Sequence, residues 1–233
     1  MTISTTFTHA GTGRRSIAAL AAVLALSTGA LTACGSNDND TGSNGSTSAV
    51  SSVSSTQVVA LHSALDRLWA DHMQYTYGTV NAFFHNQKEL KPSLDRLLQN
   101  QKELGAAIVP FYGQAAGDKL AGLLTTHIQE AVPVLTAAKG GDNAALKKAL
   151  NAWYANAKDI ADLLSSANPK NWPTSATEPM MKMHIDQTTT YAVDLLKGDY
   201  AKSIKDYDLA FAHMMDMANT LANGIVAQFP EKF

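Results

Sequence analysis

Between Leu61 and Ile225 the apolar residues of this chain recur at steps of three and four, and no segment alternates long enough to make a convincing strand. A period near 3.6 marks one face of a helix, so the pattern leaves room for little except helices packed on helices. The first stripe runs through Leu61, Leu65, Leu68, His72, Tyr75 and Thr79. The second passes from Leu90 through Leu97, Gln101 and Leu104 to Phe111, and the third from Leu120 through Leu124 and His127 to Val134. The fourth carries Leu146, Trp153, Ala157, Ile160 and Leu164, and the fifth Met181, His184, Thr188, Tyr191 and Leu195. The sixth shows Ile204, Tyr207, Phe211, Met214, Ala218, Leu221 and Ile225.

Turn chemistry places the breaks. Lys91-Pro92 is expected to separate the first two helices, and Pro110 to Gly117 the second and third. Gly140-Gly141-Asp142 ends the third and caps the fourth, Asn168 to Pro173 forms the longest loop, and Gly198-Asp199 joins the last pair. Pro133 should bend the third helix from within. Short links between long amphipathic helices mean antiparallel neighbours, so the spacing predicts an all-α, up-and-down bundle of about six helices over residues 56–233. Two related three-helix halves are suggested by Trp69 and Trp153, by Pro92 and Pro179, by Gly117-Asp118 and Gly198-Asp199, and by the likeness of His127-x-x-Glu130 to His213-x-x-Asp216.

The front of the chain reads as processing signals rather than fold. Arg14-Arg15 precede an apolar run from Ile17 to Ala30, which is shorter than the roughly 20 residues a bilayer demands. The run ends in Leu31-Thr32-Ala33-Cys34-Gly35, which resembles the lipobox of bacterial lipoproteins. That resemblance implies a signal peptide over residues 1–33, lipid attachment at Cys34, and a protein anchored to the extracytoplasmic face of the cell membrane through that lipid. Residues 34–55 are Gly, Ser, Thr, Asn and Asp with few apolar side chains, a flexible tether whose ends sit on the order of 25 Å apart.

Composition narrows the chemistry. Cys34 is the only cysteine, so the domain has no disulfide to staple it and no thiolate for nucleophilic, zinc or iron–sulfur chemistry. A formal net charge of −2 without a basic cluster argues against nucleic acid as a partner. No Gly-rich phosphate loop, Gly-x-Ser-x-Gly elbow or His-Glu-x-x-His motif is present. The Glu-x-x-His pairs of di-iron bundles are missing too, so a metal-dependent enzyme has the least support.

What the stripes do contain is polar residues at core-facing positions: His72, Gln101, His127 and His184. Antiparallel hairpins set residues equidistant from a turn side by side. Folding about Gly198-Asp199 puts His184 opposite His213 and Met183 near Met214. Folding the fourth helix on the fifth brings Asn156 to the level of His184, and the third on the fourth brings His127 close to Tyr154. Gln101 arrives at about the same depth, within about a turn or roughly 5 Å. A mixed His/Met set suits copper, and histidines with water or carboxylate suit zinc or iron. The same layer suits a small organic ligand oriented by imidazoles and amides. Alternatively its members bond only one another, fixing helix register in a structural or protein-interaction module of the cell envelope.

Several segments are similar to an uncharacterised family of extracytoplasmic bacterial helical-bundle proteins. They are Leu68-Trp69-x-x-His72, Arg96 to Gln101, Tyr112-Gly113 with Ala116-Gly117, Asn156-Ala157-x-Asp159-Ile160-Ala161, Tyr207-Asp208 and Gln228-Phe229-Pro230. The resemblance implies a helical bundle outside the cytoplasm. The enzyme names some members carry, glycosyltransferase and acetylglutamate kinase, find no support in these residues. Where the family has Trp-Thr-Arg after the first helix's histidine, this chain has Tyr75-Thr76-Tyr77, which removes the arginine and any ion pair it makes.

Overall fold

The computed structural model describes residues 55–233. The segments read as signal peptide, Cys34 and tether lie outside the described residues, except Ser55, which opens the first helix. Six helices follow one another: α1 (Ser55–His85), α2 (Gln87–Tyr112), α3 (Gln114–Gly140), α4 (Asn143–Ala167), α5 (Thr174–Lys197) and α6 (Tyr200–Gln228), with a short 3₁₀ turn at Pro230–Lys232. Each helix packs on its neighbours in the chain, α6 closes the ring onto α1, and α5 reaches across to α1 and α3. This is the all-α bundle expected from the sequence. Among the described residues, no helix is long and apolar enough to cross a membrane.

The Gly-Asp pairs make the turns. Gly141 (φ 68°) and Gly198 (φ 74°) adopt the left-handed conformation and return their N–H groups to the ends of α3 and α5. The next residue starts a new helix. Asp142 Oδ1 accepts from the amides of Ala144 and Ala145 at 3.1 and 2.9 Å, and Asp199 Oδ1 accepts from Lys202 at 3.2 Å. These two turns and Asn86 define the upper end of the bundle; Gly113, the 168–173 loop and the C-terminus define the lower end.

Prolines mark fewer boundaries than expected. The first break falls at Asn86, not at Lys91-Pro92, and the second at Gly113 alone, leaving Pro110 inside α2. Pro92, Pro110, Pro133 and Pro179 all lie within helices, and all four are exposed. Each deletes one backbone hydrogen bond on the solvent side, where water can meet the freed carbonyl, so the helix runs on through it. Pro92 and Pro179 each occupy the sixth position of their helix, the second of its half. Two stripe positions also differ. Ile204 is 54% exposed and Ser203 faces inward, its Oγ donating to the Tyr191 carbonyl at 3.1 Å. Tyr75 is half-buried beneath the Arg96 guanidinium, 4.6 Å from its ring centre, while Thr76 takes the core position. Arg96 also reaches Asp71 and Glu103 at 3.5 and 3.2 Å, and Tyr77 packs on Tyr207 with centroids 4.8 Å apart.

The lower end is tightly closed. Trp172 is buried; its indole N–H donates to the Thr220 carbonyl at 3.2 Å, and Ser165 Oγ donates to the Trp172 carbonyl at 2.7 Å. Asn168 Nδ2 donates to the Gly224 carbonyl at 2.8 Å, and Tyr112 donates to Gln228 Oε1 at 2.6 Å. A Cβ on Gly224 would meet the Trp172 indole at 2.0 Å, so only glycine admits that ring. Gly105 and Gly117 likewise let α2 and α3 touch backbone to backbone: a Cβ on Gly105 would lie 2.5 Å from the Gly117 carbonyl oxygen.

Candidate functional site

Midway along the bundle, five aromatic rings form a continuous row across the core. His184 on α5 stands at its centre, 5.8 Å from His72 on α1 and 5.7 Å from His127 on α3, measured between ring centroids. Trp69 flanks His72 at 5.6 Å and Trp153 flanks His127 at 5.2 Å. The three histidines are each 2–3% exposed. They meet because each sits on the inward stripe of a different helix at the same depth, which the hairpin arithmetic anticipates for His127 and His184.

Two amide clusters hold the outer histidines. On one side Gln101 Nε2 donates to the Leu97 carbonyl at 2.8 Å and to Asn100 Oδ1 at 3.1 Å, and lies 3.3 Å from His72 Nδ1. Asn100 is itself tied to the Leu68 carbonyl at 2.9 Å. On the other side Asn156 Oδ1 accepts from His127 Nδ1 at 2.9 Å, while Asn156 Nδ2 donates to the Leu123 carbonyl at 3.1 Å. No acid approaches the row. Burial therefore pushes His72 down to about 3, helped by the neighbouring His127, with the Asn100 and Gln101 hydrogen bonds opposing. Burial pushes His127 down to about 4 against its bond to Asn156. His184 is held well below the usual histidine range, by burial first and then by His127, His72 and His213. At neutral pH the row is three uncharged imidazoles.

On the upper side of the row lies a cavity of about 140 Å³. His72, His127 and His184 stand at its floor, and its surface is almost wholly apolar, with Leu97, Ile128, Leu135 and Ala192 among the residues that line it. No Asp, Glu, Lys or Arg lines it. Thr76, Thr79, Ala131 and Ala192 are among the smaller side chains that line it, between Leu, Ile and Phe side chains. Several buried polar atoms at its edge have no hydrogen-bond partner among the described residues: His127 Nε2, His184 Nδ1, the Trp153 indole N–H, and the Thr79 and Thr189 hydroxyls. Native interiors leave few such atoms unmet, so a group of them around one void is a mark of a site. Beneath the row a second cavity of about 40 Å³ is lined almost wholly by apolar side chains and the faces of Trp69, Tyr112 and Trp172.

Of the residues singled out from the sequence, His72, Gln101, His127, Asn156 and His184 come together. Three do not join them. Met183 is 49% exposed, because it precedes His184 on α5 and points to solvent. Met214 is fully buried but packs in the core without lining the cavity. His213 is half-buried beside the seam, its Nε2 donating to the Met180 carbonyl at 3.0 Å. Tyr154 turns away from His127 to bond Asp186, and Trp153 takes its place. Among the described residues, no three His, Cys, Asp or Glu side chains are arranged to hold a metal ion. The copper reading thus lacks its methionines at the row, and the zinc reading finds no carboxylate there. Asn100 and the threonine lining were missed, although Thr79 and Thr188 already stood in the apolar stripes, where a hydroxyl among leucines is itself a signal.

Fold and site together define a six-helix bundle with an internal, uncharged cavity floored by imidazoles. No protein-family model, curated protein or solved structure matches the chain.

Proposed function

We propose that this protein is a lipid-anchored, extracytoplasmic binding protein that holds a small, uncharged organic molecule in the cavity above the histidine row. The lipobox-like Leu31-Thr32-Ala33-Cys34 and the polar tether support the anchoring. The observation that carries the binding is a 140 Å³ void whose lining residues carry buried polar atoms without partners, above all His127 Nε2. Ligand pockets have this composition: mostly apolar walls and a few convergent polar groups. A purely structural layer accounts for His72, Gln101 and Asn100, which bond one another, but leaves the floor around His127 unexplained.

Thermal unfolding of the full chain with a panel of small neutral ring compounds, charged analogues and single metal ions tests this reading. A ligand present at 100 times its dissociation constant stabilises the folded state by about 2.7 kcal/mol. A saturable rise in Tm with a neutral compound, lost when Ala131→Leu fills the chamber, is the expected result. No rise with any neutral compound contradicts it, and a rise with a metal ion alone favours the metal reading instead.

A further inference from the structure

If the cavity binds a ligand, as proposed above, its floor also specifies the ligand's head group. The Leu123 carbonyl fixes the Asn156 amide by accepting from its Nδ2, so Asn156 Oδ1 is turned toward His127. An amide oxygen only accepts. The single proton of the neutral His127 ring therefore sits on Nδ1, and Nε2 carries a bare lone pair. That lone pair is inside the bundle, on a residue 2% exposed that lines the cavity, with no donor among the described residues to meet it. An acceptor shut away from water is costly to leave unmet, and only an N–H or O–H can meet it.

The remaining walls set size and charge. A void of about 140 Å³ is close to the engineered apolar cavity of about 150 Å³ that takes benzene, so it has room for one ring. A ligand charge would find no opposite charge in the lining. We infer that the ligand is a neutral single-ring molecule carrying a hydrogen-bond donor, phenol being the simplest example, with its O–H or N–H directed at His127 Nε2 and its ring against Ile128 and Leu135. A water molecule at Nε2 would leave the apolar remainder of the chamber empty, whereas a ring fills it.

Phenol and toluene share a ring and nearly a volume, and differ in the donor. Calorimetric titration of the full chain is expected to give phenol an affinity about tenfold above that of toluene, the worth of one net hydrogen bond, and no binding of benzoate. In His127→Phe, which keeps a ring in the row, phenol's advantage should vanish while toluene still binds. Should that variant fail to fold, the imidazole ¹⁵N signal of His127 in the unaltered protein decides: phenol should move Nε2 and toluene should not. Equal affinities, or an Nε2 signal indifferent to phenol, overturn the donor inference and leave apolar binding standing. Failure of both probes to bind overturns the inference and the binding reading together.

Discussion

At the lower end of the bundle the polar groups buried around Trp172 are matched one by one and only the Trp69 indole N–H in the lower cavity's lining is not, whereas several residues that line the upper cavity carry buried groups that have no match. The helices are the same six. Below the histidine row, Leu, Ile, Met and Trp side chains fill the space and glycines bring backbones into contact, leaving about 40 Å³. Above it, a lining that mixes threonines and alanines with larger apolar side chains leaves about 140 Å³. Local choices that agree with one another specify a fold, and departures from that agreement concentrate where a protein does something else. By this criterion the lower end holds the bundle together and the upper end is shaped for an occupant.

The two ends meet at the histidine row, and acid should act there most strongly. A histidine buried in neutral form contributes stability that is fully present above its unfolded value of about 6.5 and is lost as pH falls toward the folded value. For His72 that window runs from 6.5 down to about 3, and for His127 down to about 4. Urea unfolding measured from pH 7 to pH 4 should lose about 1 kcal/mol per pH unit for each titrating histidine. His127→Gln should flatten the slope; an unchanged unfolding free energy between pH 7 and 5 would sink the neutral-row account.

Truncation separates the ends. Trp172→Ala removes a fully packed ring and leaves the Thr220 carbonyl without its indole donor, so chemical denaturation should show a loss of about 3–5 kcal/mol. Gly105→Ala forces α2 from α3 and should cost about 1–3 kcal/mol by the same measurement. At the upper end Thr79→Val exchanges an unmatched hydroxyl for a methyl of similar volume. It should change stability by no more than about 0.5 kcal/mol, in either direction. A Thr79→Val loss as large as that of Gly105→Ala would erase the distinction between the ends.

Much of this architecture was legible in the sequence, because a helix of 3.6 residues per turn converts spacing directly into face. The Gly-Asp turns, the six helices and the meeting of His72, His127 and His184 all follow from that conversion. What failed did so for identifiable reasons. Pro92 and Pro110 read as breaks because sequence alone does not say which side of a helix a proline faces. Met183 was paired with Met214 by depth, but depth carries no information about azimuth, and one residue's difference from His184 is a rotation of about 100°. The cavity itself was invisible, since a void is set by the sizes of residues on several helices at once, and no single stripe records it. Why the tyrosines Tyr77, Tyr191 and Tyr207 cluster beside α6 has no functional account in this structure.

The most direct test of the difference between the two ends is a map of where a small ring compound goes. Methyl and amide NMR signals of the full chain, followed through a phenol titration, should shift saturably at Ile128, Leu135 and Val193. Leu164, Leu221 and Ile225 beneath the row should stay put. Shifts that are confined to the lower end, or that spread over the surface without saturating, would contradict the assignment of the upper cavity as the binding site.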